Sequence, residues 1–322
     1  MQEHRIEVTE ERAGSTLAAL VREALGCPWS RARDLVRTGR VEVDGARVLE
    51  DASRPPPGAA VVIRPEARKL TPGVLDDDRV VHVDADVIVV RKPAATLTVP
   101  WDEKDKDTLV DQVRAWLARR ERGRRRRKGK GRVRDPMVGV VQRLDKDTTG
   151  VLVFARNLKA KRALQDQLRE HTVHRRYVAI VHGDLERPER FETELIRDRG
   201  DGLRGSWGVF RRPTERRPPR DAKRAVTHVR PREALRGATL VECRLETGRQ
   251  HQIRIHLAEA GHPLVGEAVY VREHQGPVID APRIMLHAAE LGFVHPGSGE
   301  DVRFRERIPE DFAEVRRALR KG

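Results

Sequence analysis

The residues best suited to chemistry lie between two apolar runs near the middle of the chain. Residues 141–150 read Val-Gln-Arg-Leu-Asp-Lys-Asp-Thr-Thr-Gly, and β-branched residues on both sides, over 137–141 and 151–154, predict buried strands. An aspartate on a short connection between two buried strands is rigidly supported, and its carboxylate can face a cleft. The ordinary alternative is a turn in which Asp145 or Asp147 accepts hydrogen bonds from nearby backbone N–H groups.

The order of residues in this segment resembles the catalytic loop of the RluA-type pseudouridine synthases, which usually reads His-Arg-Leu-Asp-x-x-Thr-Ser-Gly. Asp145 stands at the position of the family nucleophile. Gln142 replaces the usual His, which removes a titratable group from the loop, whereas Thr149 replaces the usual Ser and keeps the hydroxyl.

Further motifs of the same family follow in the family's order over about residues 80 to 312. They are Lys92-Pro93, with Ala95 where Gly is usual; Arg176-Tyr177-Val178-Ala179; Ala225-Val226-Thr227; Thr247-Gly248-Arg249-Gln250-His251-Gln252-Ile253-Arg254-Ile255-His256; Gly261-His262-Pro263-Leu264-Val265-Gly266, followed by Glu267 where Asp is usual and by Tyr270; Leu286-His287-Ala288; and Phe293 with His295-Pro296. This collinear set identifies the chain as similar to the RluA-type family along most of its length.

The resemblance implies a role for each of four residues. Asp145 is the expected nucleophile, Arg254 its basic partner, Tyr177 the aromatic side chain against the target base, and Arg143 the residue that enters the space left by a flipped uridine. In this reaction the base detaches from the ribose at nitrogen one and reattaches through carbon five. Nothing is oxidised and no phosphate is transferred, so the resemblance implies neither a cofactor nor a metal ion.

The charge of the chain indicates a polyanionic partner. The formal net charge is +15 over 322 residues, and residues 119–134 contain eleven Lys or Arg against one acid. We expect this insert to contact RNA phosphates through Arg124, Arg125, Arg126, Arg127 and Lys128. A second basic stretch covers 197–224. Aromatic residues make up only 4% of the chain, so an open platform for stacking single-stranded bases is not predicted.

The first 65 residues form a predicted module of their own. An apolar stripe over 17–25 predicts one helix, Ser30 can cap a second helix that ends at Gly39, and Asp44-Gly45 predicts a tight hairpin. Helix, basic helix and hairpin together resemble the alpha-L RNA-binding module. Its predicted RNA-binding residues are Arg31, Arg33 and Arg37.

The rest of the chain predicts a linker over 66–78 and a catalytic domain over 79–322. Strand patterns alternate irregularly with helical ones at 108–120, 158–171 and 309–320, which favours an α+β fold with a mixed sheet. The family resemblance implies a mostly antiparallel central sheet with flanking helices and a cleft across its middle. Residues 252–256 are predicted to form a strand with Gln252, Arg254 and His256 on one face.

Several classes of protein do not fit the sequence. The chain has only two cysteines and no segment of about twenty apolar residues, which suits a cytoplasmic protein without disulfides. No nucleotide-binding glycine motif is present, and neither His171 and His174 nor His251 and His256 belong to a recognised metal-ligand motif.

The sequence therefore predicts a monomeric, cytoplasmic RNA pseudouridine synthase, with large-subunit ribosomal RNA as the first choice of substrate. Transfer RNA is an alternative substrate. Two alternatives of other classes are a non-catalytic RNA-binding or ribosome-assembly factor and a hydrolase of nucleoside bonds. The product separates the enzymes, because an isomerase keeps the base attached to the RNA and a hydrolase leaves an abasic site.

Overall fold

The computed structural model describes residues 3–48, 51–67, 75–102, 105–126, 136–211, 216–271 and 274–320. The chain divides into two compact units, Met1–Val74 and Leu75–Gly322. Part of the predicted linker, 68–74, lies outside the described residues. Among the residues that are described, no helix combines the length and the apolar character needed to cross a membrane.

The first unit packs two helices on a small antiparallel sheet. Its elements are β1 (His4–Glu7), α1 (Leu17–Leu25), α2 (Trp29–Arg37), β2 (Val41–Val43), β3 (Ala46–Arg47) and β4 (Ala60–Ile63), and the strand order is β1-β4-β2-β3. The predicted hairpin is confirmed. Asp44 and Gly45 have φ of 50° and 79°, the pair of positive values that a tight hairpin turn requires.

The predicted cap of the second helix is wrong. Helix α2 begins at Trp29, and Pro28 occupies the position before it. The carbonyl of Pro28 accepts the backbone N–H groups of Arg31 and Ala32, so the first turn closes two residues earlier than a Ser30 cap allows. The role of this unit in RNA binding stays a prediction.

The second unit contains a large sheet and the segment 141–148. Its elements are β5 (Val80–Val83), β6 (Val87–Lys92), α3 (Leu109–Arg126), β7 (Gly139–Val140), β8 (Thr149–Ala155), α4 (Leu158–Arg169), β9 (His174–His182), β10 (Glu189–Ile196), β11 (Gly205–Ser206), α5 (Trp207–Phe210), β12 (Lys223–Leu235), β13 (Ala238–Leu245), α6 (Gln252–Glu259), β14 (Leu286–Val294), β15 (Asp301–Arg305) and α7 (Glu310–Leu319).

The sheet runs in the order β11-β10-β12-β13-β9-β14-β8-β6-β5, with β15 paired to β14 and β7 paired to β8. Among the described strands, β8 and β14 form the only parallel pair. The predicted α+β fold with a mixed, mostly antiparallel sheet is confirmed. The parallel pair lies at the point where the segment 141–148 leads into the sheet, so this segment is held by central strands.

Helices α4 and α7 cover apolar parts of the sheet. Asn157 caps α4 by accepting the backbone N–H of Ala160, as the sequence predicts, and Ala160 and Leu164 are buried with β6 and β8. Phe312 of α7 is fully buried and packs in the cluster that contains Ile180. Burial of this apolar surface, at roughly 25 cal/mol per Å², is the main stabilising contribution.

The prediction of a strand over 252–256 is wrong, because Gln252–Glu259 forms helix α6. Polar and apolar side chains from Gln252 to Leu257 are all buried. The alternation of polar and apolar residues therefore does not separate an exposed face from a buried face. The buried polar side chains of α6 bond to protein groups instead of water. The Gln252 side chain donates to Val226 O at 2.9 Å, and His256 Nδ1 lies 2.8 Å from Thr227 Oγ1.

Other strand predictions need smaller corrections. The predicted strand over 138–141 is reduced to the two residues of β7. The sequence patterns do not predict five of the strands, which are β1, β10, β11, β14 and β15. In β14, His287 and Glu290 are buried among apolar residues, which breaks the sequence pattern that identifies a strand.

Candidate active site

The segment 141–148, which we call the catalytic loop, is fixed where it enters β8. Gly150 has φ of 120°, and a Cβ at this position would lie 2.2 Å from the carbonyl oxygen of Ala288 on β14. No larger residue fits without displacing the neighbouring strand. The close approach of β8 and β14 therefore sets the direction in which the catalytic loop leaves the sheet.

Lys92 holds the catalytic loop by hydrogen bonds to its backbone. Its Nζ donates to the carbonyls of Pro93, Lys146 and Thr148 at 2.9, 2.6 and 2.9 Å, and its side chain is almost fully buried. Burial lowers the pKa of Lys92 to about 7, although the nearby charges of Asp147 and Asp145 raise it. An ammonium group has three hydrogens, so the protonated side chain can donate one hydrogen bond to each of these three carbonyls.

A second clamp acts on the residue just before Asp145. The buried hydroxyl of Thr98 accepts the backbone N–H of Leu144 at 3.1 Å and donates to the Leu144 carbonyl at 2.8 Å. The chain reaches Thr98 through Ala95, which has φ of 55°. This left-handed conformation explains why a glycine suits the position better than the alanine found here.

The carboxylate of Asp145 faces a cavity and lies close to two cationic or titratable groups. Its side chain is 24% exposed, and its Oδ2 lies 3.6 Å from Nη1 of Arg254. On the other side, Nε2 of His251 is 4.0 Å from Oδ1, beyond hydrogen-bond distance. The structure thus brings together Asp145 and Arg254, which are separated by more than one hundred residues in sequence.

Arg254 is held in place by Glu267. Its Nε and Nη2 donate to the two carboxylate oxygens of Glu267 at 2.8 and 2.7 Å, a paired arrangement that fixes the plane of the guanidinium. Burial lowers the pKa of Arg254, but the hydrogen bond and charge of Glu267 raise it above its usual range. Nη1 makes no bond to Glu267 and faces Asp145.

A second pair, His251 and Tyr270, lies beside Arg254. Nδ1 of His251 lies 2.8 Å from the hydroxyl of Tyr270, and the guanidinium of Arg254 lies 5.2 Å from the Tyr270 ring centroid. Burial lowers the pKa of His251 and raises that of Tyr270 to about 12. Burial therefore favours an uncharged imidazole and phenol beside the Asp145–Arg254 pair.

Sequence reasoning assigned no role to Glu267, His251 or Tyr270, although all three stand in motifs of the family. The signal that could have found Glu267 is its chemistry. A carboxylate shortly after an arginine in a largely apolar segment needs a partner when it is buried, and Arg254 is the partner.

Tyr177 forms another wall of the same cavity. It lies on β9 opposite Cys243 of β13 and Ala288 of β14, and it is buried. Burial raises its pKa to about 12. Together with Arg175, which donates to the Glu246 carbonyl at 2.7 Å, it lines a cavity of about 330 Å³ that also contains Asp145 and Arg254.

Arg143 also lines this cavity, but its side chain is exposed. The other predicted RNA-binding residues belong to α2 and to the segment 124–128. Arg31 and Arg33 are exposed on α2, where Arg33 lies 3.6 Å from Asp51. The side chains of Arg37 and 124–126 are not among the described ones, and residues 127 and 128 lie outside the described chain.

One cluster of possible metal ligands, His82, Asp84 and His295, escaped sequence analysis. Nε2 of His82 and of His295 lie 2.7 and 2.8 Å from Asp84 Oδ2, while Nδ1 of His295 accepts the backbone N–H groups of Gly297 and Ser298. The proton of His295 must therefore sit on Nε2. Hydrogen bonds occupy the lone pairs that a metal ion needs, so this cluster ties β5 to the turn after β14.

Comparison with known proteins places this geometry in a family. The sequence model of the RNA pseudouridylate synthase family matches residues 86–259, which include the catalytic loop, Tyr177 and Arg254. The chain is 37% identical over 301 residues to an uncharacterized RNA pseudouridine synthase, YlyB, of Bacillus subtilis, and the match covers 91% of each chain.

Two further comparisons agree with this match. The chain is 33% identical to the ribosomal large subunit pseudouridine synthase D of Neisseria meningitidis serogroup B, over 99% of this chain and 83% of the relative. The solved structure of human RNA pseudouridylate synthase domain containing 4 covers 74% of this chain and 91% of its own, with 21% identity and a TM-score of 0.55, and shares the fold. The chain belongs to the RNA pseudouridylate synthase family, and it is an RluA-type RNA pseudouridine synthase, an isomerase of uridine in RNA.

Proposed function

We propose that this enzyme converts uridine to pseudouridine in large-subunit ribosomal RNA, with Asp145 as the nucleophile. The observation that carries the assignment is the position of Arg254, whose Nη1 lies 3.6 Å from the Asp145 carboxylate while Glu267 holds its other nitrogens. The choice of substrate is supported by relatives that are named as ribosomal large subunit synthases, two of them at 33% and 37% identity.

The reaction needs one ionised carboxylate and a base that can turn. In the proposed course, Asp145 acts on the ribose or the base of a flipped uridine, and the bond from nitrogen one to the ribose breaks. The base turns in the cavity, and carbon five forms the new bond to the ribose. The bond that Asp145 formed as the nucleophile breaks, which regenerates its carboxylate. The hydrogen of carbon five leaves as a proton and nitrogen one gains a proton, so atoms and charge balance without an oxidant or a leaving group.

The side chains around Asp145 have matching roles in this proposal. Arg254 stabilises the ionised carboxylate, and the ring of Tyr177 lies against the uracil. With a pKa of about 12, the Tyr177 phenol stays protonated and uncharged at neutral pH. Arg143, exposed at the cavity mouth, enters the space that the uridine leaves in the RNA.

Binding of the RNA itself is assigned to basic residues of α2 and of the basic insert. Arg31, Arg33 and Arg37 on α2 and the cluster 124–128 are proposed to contact phosphates. The proposal further assigns the enzyme to the cytoplasm as a monomer, in keeping with its two unpaired, buried cysteines.

Mapping of pseudouridines in total RNA, from cells with and without the gene, tests this proposal. We expect specific sites in large-subunit ribosomal RNA to revert to uridine and to return when the wild-type gene, but not its Asp145→Asn variant, is restored. Loss of sites in transfer RNA instead would overturn the choice of substrate. Abasic sites in place of pseudouridines would show a hydrolase, and an unchanged map would refute the activity.

A further inference from the structure

A second cavity adjoins the one that contains Tyr177. The two cavities share the catalytic loop, including Arg143 and Asp145, and the second has a volume of about 460 Å³. One wall of the second cavity is the segment 97–101, and the facing wall includes Arg249 and Arg254. A nucleotide whose base occupies the first cavity therefore has open space beside it, within a region of positive charge.

Trp101 is the most exposed large apolar side chain in the described residues, at 75%, and it lines this second cavity. The other tryptophans, Trp29, Trp116 and Trp207, each have an arginine guanidinium 5.1 to 5.6 Å from the ring centroid. Within the described part of the chain, no aromatic ring or guanidinium covers the indole of Trp101 in this way. An exposed, uncovered indole is an unfavourable surface in water, and a ligand can cover it.

The backbone of Trp101 is fixed although its indole is exposed. The carboxylate of Asp105 accepts the backbone N–H groups of Trp101 and Asp102 at 2.7 and 3.1 Å. Three residues earlier, Thr98 is bonded to Leu144 of the catalytic loop. The position of the indole is thus linked to the position of Asp145 through the segment 97–101.

We propose that Trp101 is a stacking surface for an unpaired nucleobase next to the target uridine. This inference rests on the proposed RNA substrate and deepens it, because it assigns a second base-binding subsite to the same site. A planar base covers an indole without a specific hydrogen-bond pattern, and the arginines of the cavity neutralise the adjoining phosphates. The low aromatic content does not predict a stacking platform, but one indole suffices for one base.

Other aromatic or acidic occupants fit less well. A peptide would meet an open cavity lined by four cationic side chains, those of Arg143, Lys146, Arg249 and Arg254. A nucleotide supplies both a planar base that can cover the Trp101 indole and the negative charge that Arg143 and Arg249 attract. The same RNA strand already enters the neighbouring cavity in the proposed reaction.

Steady-state kinetics of Trp101→Ala, Trp101→Phe and Val278→Ala test the inference. The substrate is total RNA from cells that lack the gene, because it contains the target whichever RNA class that is. Val278 is a matched control, since it is 64% exposed and lines neither cavity. Stacking on one aromatic side chain corresponds to about a 10- to 100-fold change in affinity.

We expect Trp101→Ala to raise the half-saturating RNA concentration about tenfold or more while the saturated rate stays within about twofold. Trp101→Phe should recover most of the affinity, and Val278→Ala should behave as the wild type. Because stacking releases no counterions, the salt dependence of binding should keep its slope in Trp101→Ala.

Three results would overturn the stacking role. They are an unchanged half-saturating concentration in Trp101→Ala, equal losses in the Ala and Phe variants, or a shallower salt slope, which would indicate a phosphate contact. A wild-type enzyme that forms no pseudouridine in this RNA would instead refute the proposed function. The wild-type measurement therefore distinguishes failure of the subsite from failure of the enzyme assignment.

Discussion

The floor and the rim of the active site differ in how firmly their side chains are held. We call Lys92, Arg254 and Glu267 the floor, and Trp101 and Arg143 the rim. Each floor residue is buried and makes two or more hydrogen bonds to fixed partners. The two rim side chains are exposed. We propose from this contrast that the floor stabilises charge and that the rim contacts the RNA.

A rigid floor suits the chemical step. In the proposed reaction, groups that already point at the Asp145 carboxylate need no reorganisation when charge shifts, and they act strongly where water is excluded. An exposed rim suits an RNA substrate whose nucleotides must rearrange before one base can enter the cavity. Changes in the floor should therefore alter the rate, and changes in the rim should alter the affinity.

The largest effect on activity is expected at Asp145, which lies between the floor and the rim. Asp145→Asn keeps the size of the side chain but removes the charge and the nucleophile, so pseudouridine formation should be abolished while RNA affinity stays nearly intact. Single-turnover assays with a separate binding measurement check this. Residual turnover within about tenfold of the wild type, a barrier change of only ~1.4 kcal/mol, would contradict the assignment of the nucleophile.

The next largest effect is expected when Arg254 is removed or released. Arg254→Met takes away the cation beside Asp145, and Glu267→Gln leaves the cation but weakens its anchor. We expect the saturated rate to fall about 100-fold or more in the first and about tenfold in the second. Glu267→Asp is the matched control, because it retains the charge and should recover part of the rate. Equal rates in the Glu267→Gln and Glu267→Asp variants would show that the charge of Glu267 does not affect the chemical step.

Lys92 should make the stability of the protein depend on pH. Its pKa of about 7 in the folded chain lies below the ordinary 10.5, so the unfolded chain binds the proton more tightly between these values. The free energy of unfolding should therefore rise with pH from about 7 to about 10 in the wild type relative to Lys92→Met, by on the order of 1 to 4 kcal/mol. Denaturant unfolding at several pH values measures it. Parallel pH profiles for the two proteins would exclude this role of Lys92.

The smallest effect on the chemical step is expected from the basic cluster 124–128. Replacing its five basic residues with Ser should weaken RNA binding most at low salt and make the slope of log affinity against log salt shallower. The saturated rate should change little. Replacing the four arginines with lysines keeps the charge and should preserve the slope. An unchanged slope in the Ser variant would mean that the cluster is not at the RNA surface, and lost turnover would place it in the cleft.

The sequence predicts local features of this protein better than contacts between distant segments. The hairpin at Asp44-Gly45 and the Asn157 cap of α4 depend on a few neighbouring residues, and both are found. The sequence alternation in α6 was misleading, because tertiary packing buries all sides of that helix. Local sequence contains no signal for that packing.

The same limit applies to the active site. The motif order identifies Asp145, Tyr177 and Arg254, and the cavity contains all three. Glu267 and Lys92 act through partners that are distant in sequence or belong to the backbone, as in the bonds from Lys92 to the Lys146 and Thr148 carbonyls. Such contacts depend on the complete sheet, so residue types and spacing do not predict them.

A side-by-side measurement of Glu267→Gln and Trp101→Ala tests the contrast between floor and rim most directly. For each protein, the single-turnover rate at saturating RNA and the RNA affinity are determined under the same salt conditions. The account predicts that Glu267→Gln loses about tenfold in rate with affinity within about twofold, and that Trp101→Ala shows the reverse. If Glu267→Gln weakens RNA binding and leaves the saturated rate unchanged, the floor does not act on the chemical step and the account is wrong.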